Sequence, residues 1–228
     1  MVIKGLDFDI SAGEILGLIG PNGSGKSTIV NMITGVYKPD GGTIVFDGHQ
    51  IQGHSTHEIS GLGISRTFQI PKPMRRMTTL ENVMVGAIFG RGKNRGGEVA
   101  RAKALEVIKS AGLADRASLL SSGLTPSECR RLEIARAMAT DPKLLILDEV
   151  MAGLSTGESE EMMALIRRLR ESGITIMMIE HVMRIVVRLC DRIVVIGSGQ
   201  KICEGKPSQV MADENVVTAY LGRRSVKL

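Results

Sequence analysis

The sequence predicts an α/β fold with a central, mostly parallel sheet, an N-terminal antiparallel β portion and an inserted helical subdomain at about residues 74–139. Three observations carry that expectation. In the second half of the chain, short aliphatic runs alternate with helical stripes, the pattern of strands buried on both faces. An earlier aliphatic run leads directly into a glycine-rich turn and a helix, across residues 14–35. Between about Met74 and Ala139 strand signals stop and the apolar spacing becomes helical. At 228 residues, one large domain spanning 1–228 accommodates all of this, with the helical segment as an insertion.

Leu6, Phe8 and Ile10 alternate with Asp7 and Asp9, which predicts a half-buried opening strand with Phe8 in the core. Residues 14–19 read as a buried strand, and Ile29, Val30, Met32 and Ile33 give the following helix an apolar face that ends near Gly35. Residues 43–46 form another strand, closed by the turn pair Asp47-Gly48, and 64–68 a third. Inside the insertion, one helix covers 79–87. A second takes its stripe from Val99, Ala102, Leu105 and Ile108, and the basic loop 90–97 joins the two. Strands return at 144–147, 174–179 and 192–196. The helix between the first two buries Met162, Leu165, Ile166 and Leu169 and stops at Ser172-Gly173. Those methionines read as core fill, not ligands.

The net charge of +5 weakly favours anionic partners such as nucleotides. Basic residues fall in short clusters: Lys72, Arg75 and Arg76; Arg91 to Arg95; Arg223 and Arg224. Aromatic residues make up only 3% of the chain, too few to stack bases along a groove, so no nucleic-acid partner is expected. Cys129, Cys190 and Cys203 are odd in number and lack metal-ligand spacing, which predicts free thiols in a reducing compartment. No apolar run has the length of a membrane span, and the first residues lack a signal peptide's basic flank and apolar core. A cytosolic protein is expected, with a peripheral place on a membrane complex left open.

Gly20, Pro21, Asn22, Gly23, Ser24, Gly25, Lys26, Ser27 and Thr28 fit the phosphate-loop pattern of P-loop NTPases, G-x-x-x-x-G-K-[ST]. The glycines let backbone N–H groups turn inward, and the helix end adds positive potential. Lys26 would reach the terminal phosphates of a nucleoside triphosphate, and Ser27 would offer a hydroxyl to Mg²⁺. Further on, the aliphatic run 144–147 ends in two acids. Asp148, delivered beside the phosphate loop, could hold a Mg²⁺-bound water. Glu149 could orient and deprotonate the attacking water, a role whose loss typically costs about 10²–10⁴ in rate. Gln69 and His181 each follow a strand; singly, either is an ordinary polar residue at a strand end.

The order is more informative: phosphate loop, Gln69, the run 130–139 leading into Asp148-Glu149, then His181. It resembles the nucleotide-binding domain of ATP-binding cassette (ABC) proteins over nearly the whole chain. Arg66-Thr67-Phe68-Gln69, Thr79-Leu80-Glu81-Asn82-Val83, Arg130-Arg131-Leu132-Glu133-Ile134-Ala135-Arg136 and Ala219-Tyr220-Leu221-Gly222 look most like the ATP-binding subunits of branched-chain amino-acid importers. The resemblance implies ATP with Mg²⁺, Gln69 contacting Mg²⁺ or water and sensing membrane subunits, and His181 holding the γ-phosphate. It also implies a second ATP-binding subunit closing head to tail, two membrane permease subunits, an indirectly coupled solute-binding protein, and a peripheral seat on the cytoplasmic face of the inner membrane. The region after Gln69, through Met74 to Val85, would meet the permeases; the basic residues at 72–76 either join that contact or form a solvated loop. Branched-chain amino acids lead as cargo, with urea, short amides or other amino acids behind. A soluble regulatory or mechanical ABC ATPase is the reading from another class, although this chain has neither a second cassette nor a long coiled-coil insertion.

The chain departs from the family in three places. Where the family signature reads Leu-Ser-Gly-Gly-Gln, this sequence has Leu124-Thr125-Pro126-Ser127-Glu128. Pro126 has no N–H to donate, and Ser127 adds a Cβ where a phosphate would approach. Glu128 sets a negative charge near another anion, worth up to about 4 kcal/mol at about 4 Å and an effective dielectric of about 20. Thr125, Pro126, Ser127 and Glu128 together fit a capping box, a self-satisfied helix end that weakens the signature; a working variant is the other reading. Such an asymmetric signature favours pairing with a sibling subunit. Ser155 stands where many members carry an aspartate that communicates across the dimer. Finally, members usually stack an aromatic residue on adenine from a strand ahead of this chain's first residue, so either that strand is lacking or the base is held loosely. Little discrimination between ATP and GTP is therefore expected. Competition at equal concentrations should show it, and a strong ATP preference would overturn the expectation.

Overall fold

The computed structural model describes residues 2–91, 96–214 and 216. Among these, eight strands form: β1 (Ile15–Ile19), β2 (Val45–Phe46), β3 (His49–Gln50), β4 (Ile64–Arg66), β5 (Leu144–Asp148), β6 (Thr175–Ile179), β7 (Arg192–Gly197) and β8 (Gln200–Gly205). The helices are α1 (Lys26–Ile33), α2 (Thr56–Leu62), α3 (Thr79–Phe89), α4 (Gly97–Ser110), α5 (Pro126–Met138), α6 (Thr156–Glu171), α7 (Met183–Leu189) and α8 (Pro207–Ala212). Six strands make the central sheet in the order β4-β5-β6-β1-β7-β8. All neighbours run parallel except β7 and β8, which pair antiparallel at one edge.

The aliphatic runs become buried strands because each supplies both faces of the sheet. Ile15, Ile19, Leu145, Leu147, Ile176 and Met178 point to one side, where α6 and α7 add Met162, Ile166 and Val186. Leu16, Leu18, Leu144, Ile146, Met177 and Ile179 point to the other, against Ile29 and Val30 of α1 and Ile59 of α2. The α6 stripe is as expected: Met162, Leu165, Ile166 and Leu169 are all buried, and Ser172 caps the helix end.

Between β4 and β5 the elements are helical. A separate apolar cluster joins α3, α4 and α5 through Leu80, Val83, Ala104, Ile108, Leu132 and Ala135. The expected stripe of α4 needs correction. Val99 and Leu105 are 58% and 41% exposed, while Ala100, Ala104, Val107 and Ile108 are buried. A step of three residues falls about 60° short of a full turn, so Val99 and Ile108 end about 180° apart on the helix. The buried set steps by four and three, and its alanines let the neighbouring helices come close.

The opening segment also differs from expectation. Leu6, Phe8 and Ile10 pack partly buried against the sheet while Asp7 and Asp9 face solvent, so the alternation holds. No ladder forms there. The segment is tied down instead by Arg192, whose Nη2 donates to the Asp9 carbonyl at 2.6 Å, and by the Lys4 N–H on the Gly199 carbonyl at 2.8 Å. The antiparallel portion near the N-terminus thus reduces to β2 and β3 around Asp47-Gly48. The 219–222 motif, residues 92–95 of the basic loop and Arg223-Arg224 lie outside the described residues.

Gly86 on α3 is where α5 comes closest: a Cβ there would collide with the Arg136 carbonyl oxygen and press on Ala139. Gly86→Ala should therefore destabilise the chain by about 1–3 kcal/mol despite alanine's better helix propensity. Gly157→Ala on α6, with open space around its Cβ, should hold or raise the melting temperature. Thermal melts of the two variants check the contrast.

Candidate active site

Parallel strands carry their following loops to one edge of the sheet, and four of them converge chemistry there. From β1 comes the phosphate loop, from β6 His181, from β5 Asp148 and Glu149, and from β4 Gln69. Asp148 is not on a strand next to β1, because β6 runs between β5 and β1. The site is therefore a row, not a pair.

The loop from Gly20 to Gly25 has the backbone its glycines predict. A Cβ on Gly20 would strike the Ile196 carbonyl, and Gly25, the N-cap of α1, lies at φ +108°. No side chain caps α1 and no acid occupies its first turn, so the N–H groups and dipole of that helix end are free for an anion. Lys26 Nζ is folded back on the carbonyls of Gly20 at 2.7 Å and Pro21 at 3.0 Å. Burial pulls its pKa down, against the opposing pull of Glu149 and Asp148. Asn22, Gly23 and Ser27 are exposed, Pro21 and Thr28 partly so, and the Ser24 hydroxyl is buried without a protein partner. These features fit a polyphosphate: a helix end with open donors and a lysine whose hydrogen bonds go only to backbone carbonyls.

Asp148 closes β5, its N–H donating to Thr67 Oγ1 at 3.1 Å. Burial foremost pushes its carboxyl pKa up, so a cation or donor at this point would be welcomed. Glu149 takes the left-handed conformation at φ +50°, costly for a residue with a Cβ. It is held there by its N–H on the Ile179 carbonyl at 2.9 Å and by Arg130 Nη1 on its own carbonyl at 3.0 Å. Its side chain meets both outlying candidates. Gln69 Nε2 donates to Oε2 at 2.7 Å, and His181 Nδ1 stands 3.9 Å from Oε1. The structure thus brings Gln69, Glu149 and His181, from three strands, into one cluster.

Thr125, Pro126, Ser127 and Glu128 make the predicted capping box. Thr125 Oγ1 accepts from the Glu128 N–H at 3.2 Å, and Glu128 Oε2 accepts from the Thr125 N–H at 2.9 Å. The Thr125 N–H, together with Arg116 at 2.8 Å, holds the Glu128 carboxyl below its ordinary pKa. Ser155 is likewise spent on a cap, accepting from Glu158 N at the start of α6.

Sequence reasoning missed four residues that shape the site. Thr67 supports Asp148, and Arg130 also reaches the Ala152 carbonyl at 2.6 Å. Glu133 is 4% exposed and accepts from the N–H groups of Phe68 and Lys72. Glu180, fully buried beside His181, accepts from the Met151 N–H at 2.9 Å, and burial pushes its carboxyl up. The available signal was an acid set among apolar neighbours, Glu133 between Leu132 and Ile134 and Glu180 after Ile179. By contrast, Cys190 is buried with its thiol pushed up to about 12, an inert core group.

Residues 3–152 match the family model described as ABC transporter. Residues 200–225 match one described as branched-chain amino acid ATP-binding cassette transporter. The chain is 36% identical to the high-affinity branched-chain amino acid transport ATP-binding protein BraF of Pseudomonas aeruginosa, covering 97% of this chain and 92% of that protein. It is 37% identical to the corresponding protein LivG of Escherichia coli K12 with the same coverage. Among solved structures, the ADP conformation of the cassette MJ1267 superposes with a TM-score of 0.88 at 32% identity, over 97% of this chain and 92% of that one. A dimeric post-hydrolysis cassette, MJ0796 bound to ADP and Pi, gives 0.81 at 30% identity, with 90% of each chain covered.

The two helix ends suggest a direct experiment. The quadruple variant T125S/P126G/S127G/E128Q replaces the box at the start of α5 with the family signature and should raise ATP hydrolysis by the assembled complex. Unchanged hydrolysis would mean that the capping box does not weaken the signature.

Proposed function

This chain belongs to the ABC transporter family, and on that footing we propose that it is the ATP-binding and ATP-hydrolysing subunit of a branched-chain amino-acid importer. The observation that carries the mechanism is the cluster of Gln69, Glu149 and His181 at the strand ends beside an uncapped phosphate-loop helix. The cargo reading is supported by the match at residues 200–225 and by the printed functions of the relatives.

Gly20 to Thr28 cradle the triphosphate with backbone N–H groups, and Lys26 exchanges the carbonyls of Gly20 and Pro21 for terminal phosphate oxygens. Mg²⁺, when bound, would supply charge neutralisation for the phosphates, and Ser27, Asp148 and Gln69 would hold it. Glu149 orients a water and takes its proton, Gln69 fixes the Glu149 carboxylate, and His181 steadies the γ-phosphate. In this reading, residues at about 74–139 act as a helical subdomain of a single domain, presenting Thr125–Glu128 to nucleotide on the opposite subunit. A sibling with a better signature completes the pair, and closing and reopening drives two permease subunits fed by a solute-binding protein. No helix among the described residues is long and apolar enough to cross a membrane. The subunit would sit peripherally at the cytoplasmic face.

Glu149→Gln should lower hydrolysis by about 10²–10⁴ while nucleotide binding persists. Phosphate release set against titration with a fluorescent nucleotide separates the two effects. Undiminished release would rule out Glu149 as the base.

A further inference from the structure

We infer that Glu133 is a positioning residue that sets Gln69 against Glu149, an inference that rests on the reading of Glu149 as the base. Glu133 sits on α5 in an apolar stretch with Leu132, Ile134, Ala135 and Ala137, and is 4% exposed. A carboxylate so placed is costly unless its oxygens are satisfied. They are satisfied by the backbone of one loop. Oε1 accepts from the Lys72 N–H at 2.9 Å and Oε2 from the Phe68 N–H at 3.2 Å. Arg136, one turn along, stands 3.4 Å from Oε1 and donates to the Lys72 carbonyl at 3.1 Å.

That loop carries Gln69, and it does little to hold itself. Phe68 and Ile70 are 42% and 72% exposed, so burial of its own side chains contributes little. Its two ends are fixed instead by the single carboxylate of Glu133. From the other side, the Arg66 guanidinium lies 4.7 Å from the centre of the Phe68 ring and is itself bonded to Asn31 of α1 at 2.7 Å.

The same helix holds the other member of the pair. Arg130, three residues before Glu133 and so on the same face, grips the carbonyls of Glu149 and Ala152. One turn of α5 thus fixes the backbone around both ends of the 2.7 Å Gln69–Glu149 hydrogen bond. Removing Glu133 frees the Gln69 end and leaves the Glu149 end in place.

A double-mutant cycle in the assembled complex, with E133A, Q69A and E133A/Q69A, tests this. E133A should lower kcat about 10- to 100-fold, the cost of misplacing a catalytic group, with KM for ATP within about twofold. In the Q69A background it should cause little further loss. E133Q, which keeps one acceptor oxygen, should recover part of the rate. Losses that multiply in the double variant would overturn the inference, because a purely structural Glu133 acts independently of Gln69. If thermal melts show that E133A does not fold, E133Q goes through the same cycle under the same criterion. E149Q is run alongside. Full hydrolysis there overturns the reading of the base, whereas an inactive E149Q with multiplied losses overturns the role of Glu133 alone.

Discussion

The parallel register of β4, β5, β6 and β1 is the constraint on which the rest of the molecule depends. β1, β5 and β6 are aliphatic on both faces, so each must be sandwiched between helices, and their connections must cross over the sheet; β4, with Ser65 and Arg66, joins them in parallel at the edge. All four chains therefore leave the sheet at the same edge. A one-residue slip would exchange the faces given by Leu144 with Leu145, or Ile176 with Met177. Burial thus locks the register that sets Gln69, Glu149 and His181 against one another. The left-handed turn at Glu149 survives because β6 and α5 bond its backbone from two sides.

Two helix N-termini show how one shortage can be met in opposite ways. Every helix begins with N–H groups that lack intrahelical acceptors. At α1 the chain leaves them open behind a glycine with no side chain, which suits an external polyanion. At α5 it closes them with Thr125 and Glu128 and adds Arg116. The first end is left open to an outside acceptor, whereas the second is largely satisfied by its own residues.

Helix α5 also joins the two parts of the fold. Its apolar side packs with α3 and α4, while Arg130, Glu133 and Arg136 reach towards the sheet's functional edge. Those three charges are spent on backbone groups of the loops that bear Gln69 and Glu149, which explains why they lie on that side of the helix. A long helix is stiffer than the loops it holds, so placing these contacts on α5 limits how far Gln69 and Glu149 drift apart.

Much was legible in the sequence because it depends on local pattern. The phosphate loop, the aliphatic strands, the capping box at Thr125 and the buried face of α6 follow from spacing within about ten residues, and the order of motifs pointed to the family. The α4 stripe failed because a helix's apolar residues do not name their face until partners choose it, and alanines won over Val99 and Leu105 by allowing close approach. The opening segment alternated correctly, but alternation does not supply a neighbouring strand. Only the tertiary structure decided that β6 separates β5 from β1, that Gln69 and His181 meet at Glu149, and that Glu133 and Arg130 hold the loops between them. Those contacts join residues up to 80 positions apart, and strand order, which no local spacing encodes, is what brings them together.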